Sequence, residues 1–224
     1  MSDDHERSKL LEKQTAVSGL IEKAYDLMRD DKDEEAAEVW VDIAEDIWPV
    51  IDGVIETLGS DKKPTEDKVD RSYDKPYDLN DVLSDADVTL AYAKKHEERL
   101  AFNRRLLATF DMSSERNQYF SAQQAIAESL NGLGRYDECD EHLKAWKHEN
   151  DKEVYPDFVR LRCLYERKAD SAKLKKLADS YMAIEEIDAP HEDVMMLYEI
   201  IAVVSSFSAS RIRKNSKLNP MRPA

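Results

Sequence analysis

The chain has 224 residues but only five glycines and two cysteines. So little glycine leaves no room for a phosphate-cradling loop, and no P-loop, Gly-x-Gly-x-x-Gly or Gly-x-Ser-x-Gly pattern occurs. Two cysteines, Cys139 and Cys163, are too few for a disulfide framework. Long apolar runs are missing too: the most apolar stretch, Val194 to Val204, is interrupted by Glu199 and falls short of the ~20 residues a bilayer requires. The opening Met1-Ser2-Asp3-Asp4-His5-Glu6 lacks the basic-then-apolar order of a signal peptide, so a cytoplasmic address is expected. Basic charge is scarce, with 33 Lys and Arg against 48 Asp and Glu and a net charge of −15. Such a surface repels phosphate backbones, which makes nucleic acid a poor partner for the body of the protein. No period-two alternation runs for any length, which excludes a sheet-based fold.

What is present is helical periodicity. Val17, Leu20, Ile21, Ala24, Leu27 and Met28 share one face, and Ala36, Ala37, Trp40, Ile43, Ala44, Ile47 and Trp48 share the next. Pro49 is expected to end or kink that second helix, with Val50 to Leu58 as a further short one. Residues 1–59 thus read as a helical hairpin. Residues 60–78 carry Pro64, Pro76 and many charges of both signs, and read as an exposed linker in which Thr65 to Arg71 can add a turn of helix. Residues 79–210 return to helical spacing, with glycines at 132 and 134 as a stop and Pro156 as a first-turn proline. Residues 211–224 hold five basic residues and no acid and read as a solvated, disordered tail. The fold class is all-α, built from antiparallel helix pairs.

The stretch Ala122 to Trp146 resembles a tetratricopeptide repeat. Ala127 stands at the small position of the first helix, Leu133-Gly134-Arg135-Tyr136-Asp137 at the turn, Cys139 at the small position of the second helix and Leu143 at the large one. Trp146 and Asp151 depart from the pattern. The N-terminal pair follows the same template more loosely, with Ala24, Ala36 and Trp40 in place but Lys23 for an apolar residue and Asp31 for the glycine. Residues from Leu79 to Trp146, with Glu97 to Phe110 and Ala125-Ile126-Ala127-Glu128-Ser129, are also similar to uncharacterised bacterial tetratricopeptide-like proteins. Some of those carry a C-terminal cysteine-rich zinc motif of the SEC-C type, which this chain cannot build without a cysteine after Cys163. The resemblance implies a right-handed α-solenoid whose stacked pairs bury each other's apolar faces.

No constellation for catalysis stands out, so a non-enzymatic role without metal or cofactor is expected. Cys139 and His142 lie three apart on one helix, but two further metal ligands would be needed, and a packing role for Cys139 is the simpler reading. Acidic clusters at Asp30 to Glu35 and Asp137 to Glu141 suit first helical turns. Trp40 and Trp48 share a face with Ile43 and Ile47 and should be core. The repeat template places Ile21 and Tyr25, with Gln124, Glu128 and Asn131 of the later copy, along a candidate groove. That set is almost without basic residues, so a protein or peptide partner there should be basic or apolar. The last helix is apolar on almost every side, which makes Met195, Tyr198, Ile201 and Phe207 a candidate interface, for a homodimer or another partner, if the helix is not buried internally. Docking of an acidic target by the basic tail is the alternative.

Overall fold

The computed structural model describes residues 2–59, 62–73, 77–150 and 155–168, together with Leu174 and Lys176. Among the described residues there are eight α-helices and no strand. They are α1 (Ser2–Arg29), α2 (Asp33–Leu58), α3 (Glu66–Asp70), α4 (Leu79–Tyr92), α5 (His96–Thr109), α6 (Arg116–Gly132), α7 (Tyr136–Glu149) and α8 (Tyr155–Glu166). The chain divides into two compact units, Met1–Leu133 and Gly134–Ala224. The expected last helix over 190–207, with Met195, Tyr198, Ile201 and Phe207, and the basic tail over 211–224 lie outside the described residues.

In the first unit α2 supplies the largest share of the core. Ala36, Trp40, Ile43, Ile47, Val50, Ile51 and Val54 recur at three- and four-residue steps and are all buried. Asp33, Glu34 and Glu35 occupy its first turn, where the helix dipole favours carboxylates. Trp40 packs edge-on against Tyr25 of α1 at 5.7 Å between ring centroids, and its indole N–H donates to Met28 Sδ at 3.5 Å. Farther along, Gly53 lies against the end of Leu10, so the lack of a side chain lets the two helices approach. Trp48 packs on Phe102 of α5 at 5.4 Å, and the Arg105 guanidinium lies over its ring at 5.5 Å. Each such large side chain contributes about 1.5–3 kcal/mol on burial.

One turn geometry recurs. Asp31, Lys94 and Gly134 all have positive φ, at 57°, 57° and 72°, and each is followed by a residue near φ −77° to −101°, ψ 57° to 66° that opens the next helix. The backbone bonds repeat as well: Lys32 N–H donates to Leu27 O and Lys95 N–H to Leu90 O, both at 2.9 Å. Lys168, with φ 51°, adopts the same left-handed conformation. Such a residue ends a helix by returning its last N–H groups to orphan carbonyls.

Two expectations are corrected. The helix does not end at Pro49; α2 runs unbroken from Asp33 to Leu58. Pro49 lies on the exposed side, as does Glu45, whose carbonyl loses its N–H partner there and can turn to water. Buried Ile47, Trp48, Val50 and Ile51 on both sides of it hold the helix to the core. Residues 60–78, expected as an exposed linker, are buried at several positions of their described part. Thr65 caps α3 by accepting from Lys68 N–H, and Pro64, Glu66, Val69 and Tyr73 are buried. Asp70 Oδ1 accepts from Leu79 N–H at 2.6 Å, and Pro64 O accepts from Asp111 N–H at 2.9 Å. Scattered apolar residues gave no periodic signal, yet Val69 and Tyr73 suffice to anchor the segment to the core.

Candidate functional site

Two polar assemblies stand out in the first unit. The first lies where α1 meets α4. Asp78 caps α4 by accepting from Asn80 N–H at 2.9 Å, which starts the helix so that Asp81, Asp85, Val88 and Tyr92 fall on one stripe. Val88 is 45% exposed and Tyr92 82% exposed. The Tyr25 hydroxyl donates to Asp85 Oδ2 at 2.7 Å, and the Tyr25 ring lies 5.5 Å from that of Tyr77. Burial first, then the bond to Asp85 and the negative charges of Asp85 and Asp81, hold the Tyr25 phenol well above its ordinary range. It stays a neutral donor. The result is a half-buried pair of rings edged by two carboxylates, continued along α4 by an exposed valine and tyrosine.

The second assembly joins α4, α5 and α6. Arg99 is 8% exposed and forms a two-pronged pair with Asp87, Nε to Oδ1 at 2.8 Å and a terminal nitrogen to Oδ2 at 2.9 Å. Its other terminal nitrogen reaches Glu128 Oε2 at 2.9 Å. Asn103 donates to Asp87 Oδ1 at 2.5 Å, and Gln124 donates to Glu128 Oε1 at 2.7 Å. Burial alone would pull the guanidinium down, but the bonds and charges of Asp87 and Glu128 outweigh it and hold Arg99 above its usual range. This is a cross-brace between three helices, with one cation shared by two carboxylates.

The five groove candidates fall into these assemblies unevenly. Tyr25 belongs to the ring–carboxylate face. Ile21 is in the core, because its position one turn before Tyr25 points inward against α2, so it is corrected to a packing residue. Glu128 and Gln124 serve the Arg99 brace, and Asn131 is buried on the same side of α6. Sequence reasoning missed Asp81, Asp85, Asp87 and Arg99. Nothing in Asp85-Ala86-Asp87 or Glu97-Glu98-Arg99 marks locally a charge that turns inward. Only the packing of α4 with α2, α5 and α6 shows which of them turn inward.

Among the described residues no three His, Cys, Asp or Glu groups converge to hold a metal ion, and no helix is long and apolar enough to cross a membrane. Comparison with protein families, curated proteins and solved structures finds no match to this chain. The class defined by the fold is therefore an all-helical protein, and its function rests on the geometry alone.

Proposed function

We propose that this is a non-enzymatic helical-repeat protein whose first unit stacks antiparallel pairs in the right-handed tetratricopeptide-like manner and binds a basic or apolar segment of a partner protein. The recurring left-handed turn at Asp31, Lys94 and Gly134 supports the repeat, and Lys168 follows Gly134 by 34 residues (168 − 134), the usual length of one such repeat. The observation that carries the binding role is the α4 face: Tyr25, Tyr77, Asp81 and Asp85 beside exposed Val88 and Tyr92. A lysine or arginine there meets carboxylates and ring faces together, and each contact is worth about 0.5–1 kcal/mol at an exposed site. Affinity must then come from several such contacts and fall with added salt.

The test is an NMR titration of the full chain with two peptides of equal length, one carrying Lys, Arg and Leu and the other Glu in place of the basic residues. Shifts at Tyr25, Tyr77 and Tyr92 with the basic peptide, reduced by Asp81→Lys and by Tyr92→Ser, are expected. Equal response to both peptides, or indifference to both substitutions, would overturn the proposal.

A further inference from the structure

Among the described residues α4 packs with α2, α3, α5 and α6, and it buries Val82, Leu83, Ala86, Thr89 and Leu90. Its other side leaves Asp81, Ser84, Val88 and Tyr92 exposed, with Asp85 and Ala91 half-buried beside them. These positions advance in steps of three and four residues, so they form one stripe of about three turns, roughly 16 Å long. The stripe is sorted by charge. Asp81 and Asp85 stand toward its N-terminal end, Val88 and Tyr92 follow, and exposed Lys94 lies just beyond the C-cap residue Ala93.

On the binding role already proposed for this face, we infer that the partner segment is an amphipathic helix of about three turns that lies antiparallel along α4, apolar in its first turns and basic in its last. An extended segment that docks by strand addition needs a sheet edge, and among the described residues there is no strand. A helix satisfies its own backbone and presents side chains at the same three- and four-residue spacing as the stripe. Ser84 and Ala91, seven positions apart, are small enough to let two helix axes come within ~8–10 Å. Val88 between them and Tyr92 beyond supply the apolar contact.

Charge sets the direction. Basic side chains are attracted by Asp81 and Asp85 at one end of the stripe and repelled by Lys94 at the other. Lys and Arg are also most favourable in the last turn of a helix, where they offset the negative end of its dipole. Both conditions hold together only when the segment's C-terminal turn lies at Asp81, which runs it antiparallel to α4. Its first turn, where Asp and Glu are favoured, then falls beside Lys94. Asp85 is a prepared acceptor, because the Tyr25 hydroxyl already holds its Oδ2 at 2.7 Å and little freedom is left to lose on binding.

The experiment titrates the full chain with Ala-rich peptides of about five turns, long enough to be helical on their own. One carries Glu, then two Leu, then Lys and Arg along one face; a second has that order reversed; a third is the first with a central proline. The first should bind about fivefold more tightly than the second and about tenfold more tightly than the third. A nitroxide on its N-terminus should broaden the NMR signals of Tyr92 more than those of Tyr77, and a nitroxide on its C-terminus should do the reverse. Exchanging the end charges in Asp81→Lys, Lys94→Glu, both at exposed positions, should abolish that preference of ends. Equal binding of the first and second peptides, equal binding of the proline peptide, or a preference of ends that is missing in the unaltered chain or survives the exchange would each overturn the helical, antiparallel mode and leave the binding role standing. Failure of all three peptides to bind would overturn that role as well. The unaltered chain decides the matter even if the exchanged variant fails to fold.

Discussion

Replacing Arg99 with methionine should be the most damaging change at a charged residue of the first unit. It leaves Asp87 and Glu128 facing each other without the cation that they share, at contacts of 2.8 and 2.9 Å. Exposed ion pairs are worth at most about 1 kcal/mol, but the Arg99 side chain is only 9% exposed, so the buried case applies. Breaking a buried pair by removing one partner costs about 3–5 kcal/mol, most of it from the uncompensated charge left behind. Asp87 and Glu128 retain 20% and 14% of their side-chain surface, and water reaching them places the expected loss at ~3 kcal/mol. Urea unfolding followed by circular dichroism measures it. Hydrogen exchange should show the loss of protection concentrated in α4, α5 and α6. The triple variant Arg99→Met, Asp87→Leu, Glu128→Leu should recover most of the stability, because no buried charge remains and Asn103 keeps its bond to the residue 99 carbonyl. An Arg99→Met protein within ~1 kcal/mol of wild type would refute the reasoning, since that is the scale of a solvated pair.

The repeated turn predicts opposite effects at two equivalent positions. Lys94→Gly should stabilise by about 0.5–1 kcal/mol by relieving the left-handed strain of a side-chain-bearing residue, and Gly134→Ala should destabilise by about 1 kcal/mol. Open space around Gly134 makes the second change a test of backbone strain alone, and thermal unfolding of both variants reads it. At Tyr25 the folded phenol lies above its ordinary value of 10.0, so its contribution is fully present below that pH. As pH rises past it, the unfolded chain ionises while the folded chain cannot, and stability falls. A urea series across this alkaline window should show the decline, and Tyr25→Phe should flatten it at the cost of the Asp85 hydrogen bond.

Spacing alone was enough to mark the buried stripe of α2, though not its run past Pro49. The apolar steps at Trp40, Ile43, Ile47 and Ile51 define one buried stripe whatever they meet, because a 3.6-residue period needs no partner to be recognised. The turn at Gly134 was legible from its glycine, whereas Asp31 was read only as a departure from the pattern. Lys94 was not legible at all, since lysine carries no signal of positive φ and only the turn between α4 and α5 demands it. Pro49 misled for a related reason: its cost depends on which side of α2 meets water.

Which charges turn inward is decided by tertiary structure. Arg99, with glutamates on the two preceding positions, has the local pattern of a solvated face, and nothing within α5 distinguishes it from Arg104. Asp87 stands 12 positions before it and Glu128 29 positions after it, and only the packing of α4 and α6 on α5 sets all three together. Sequence fixes short-range periodicity because neighbours along a helix are set by covalent geometry. Pairing across helices depends on which faces the whole core brings into contact.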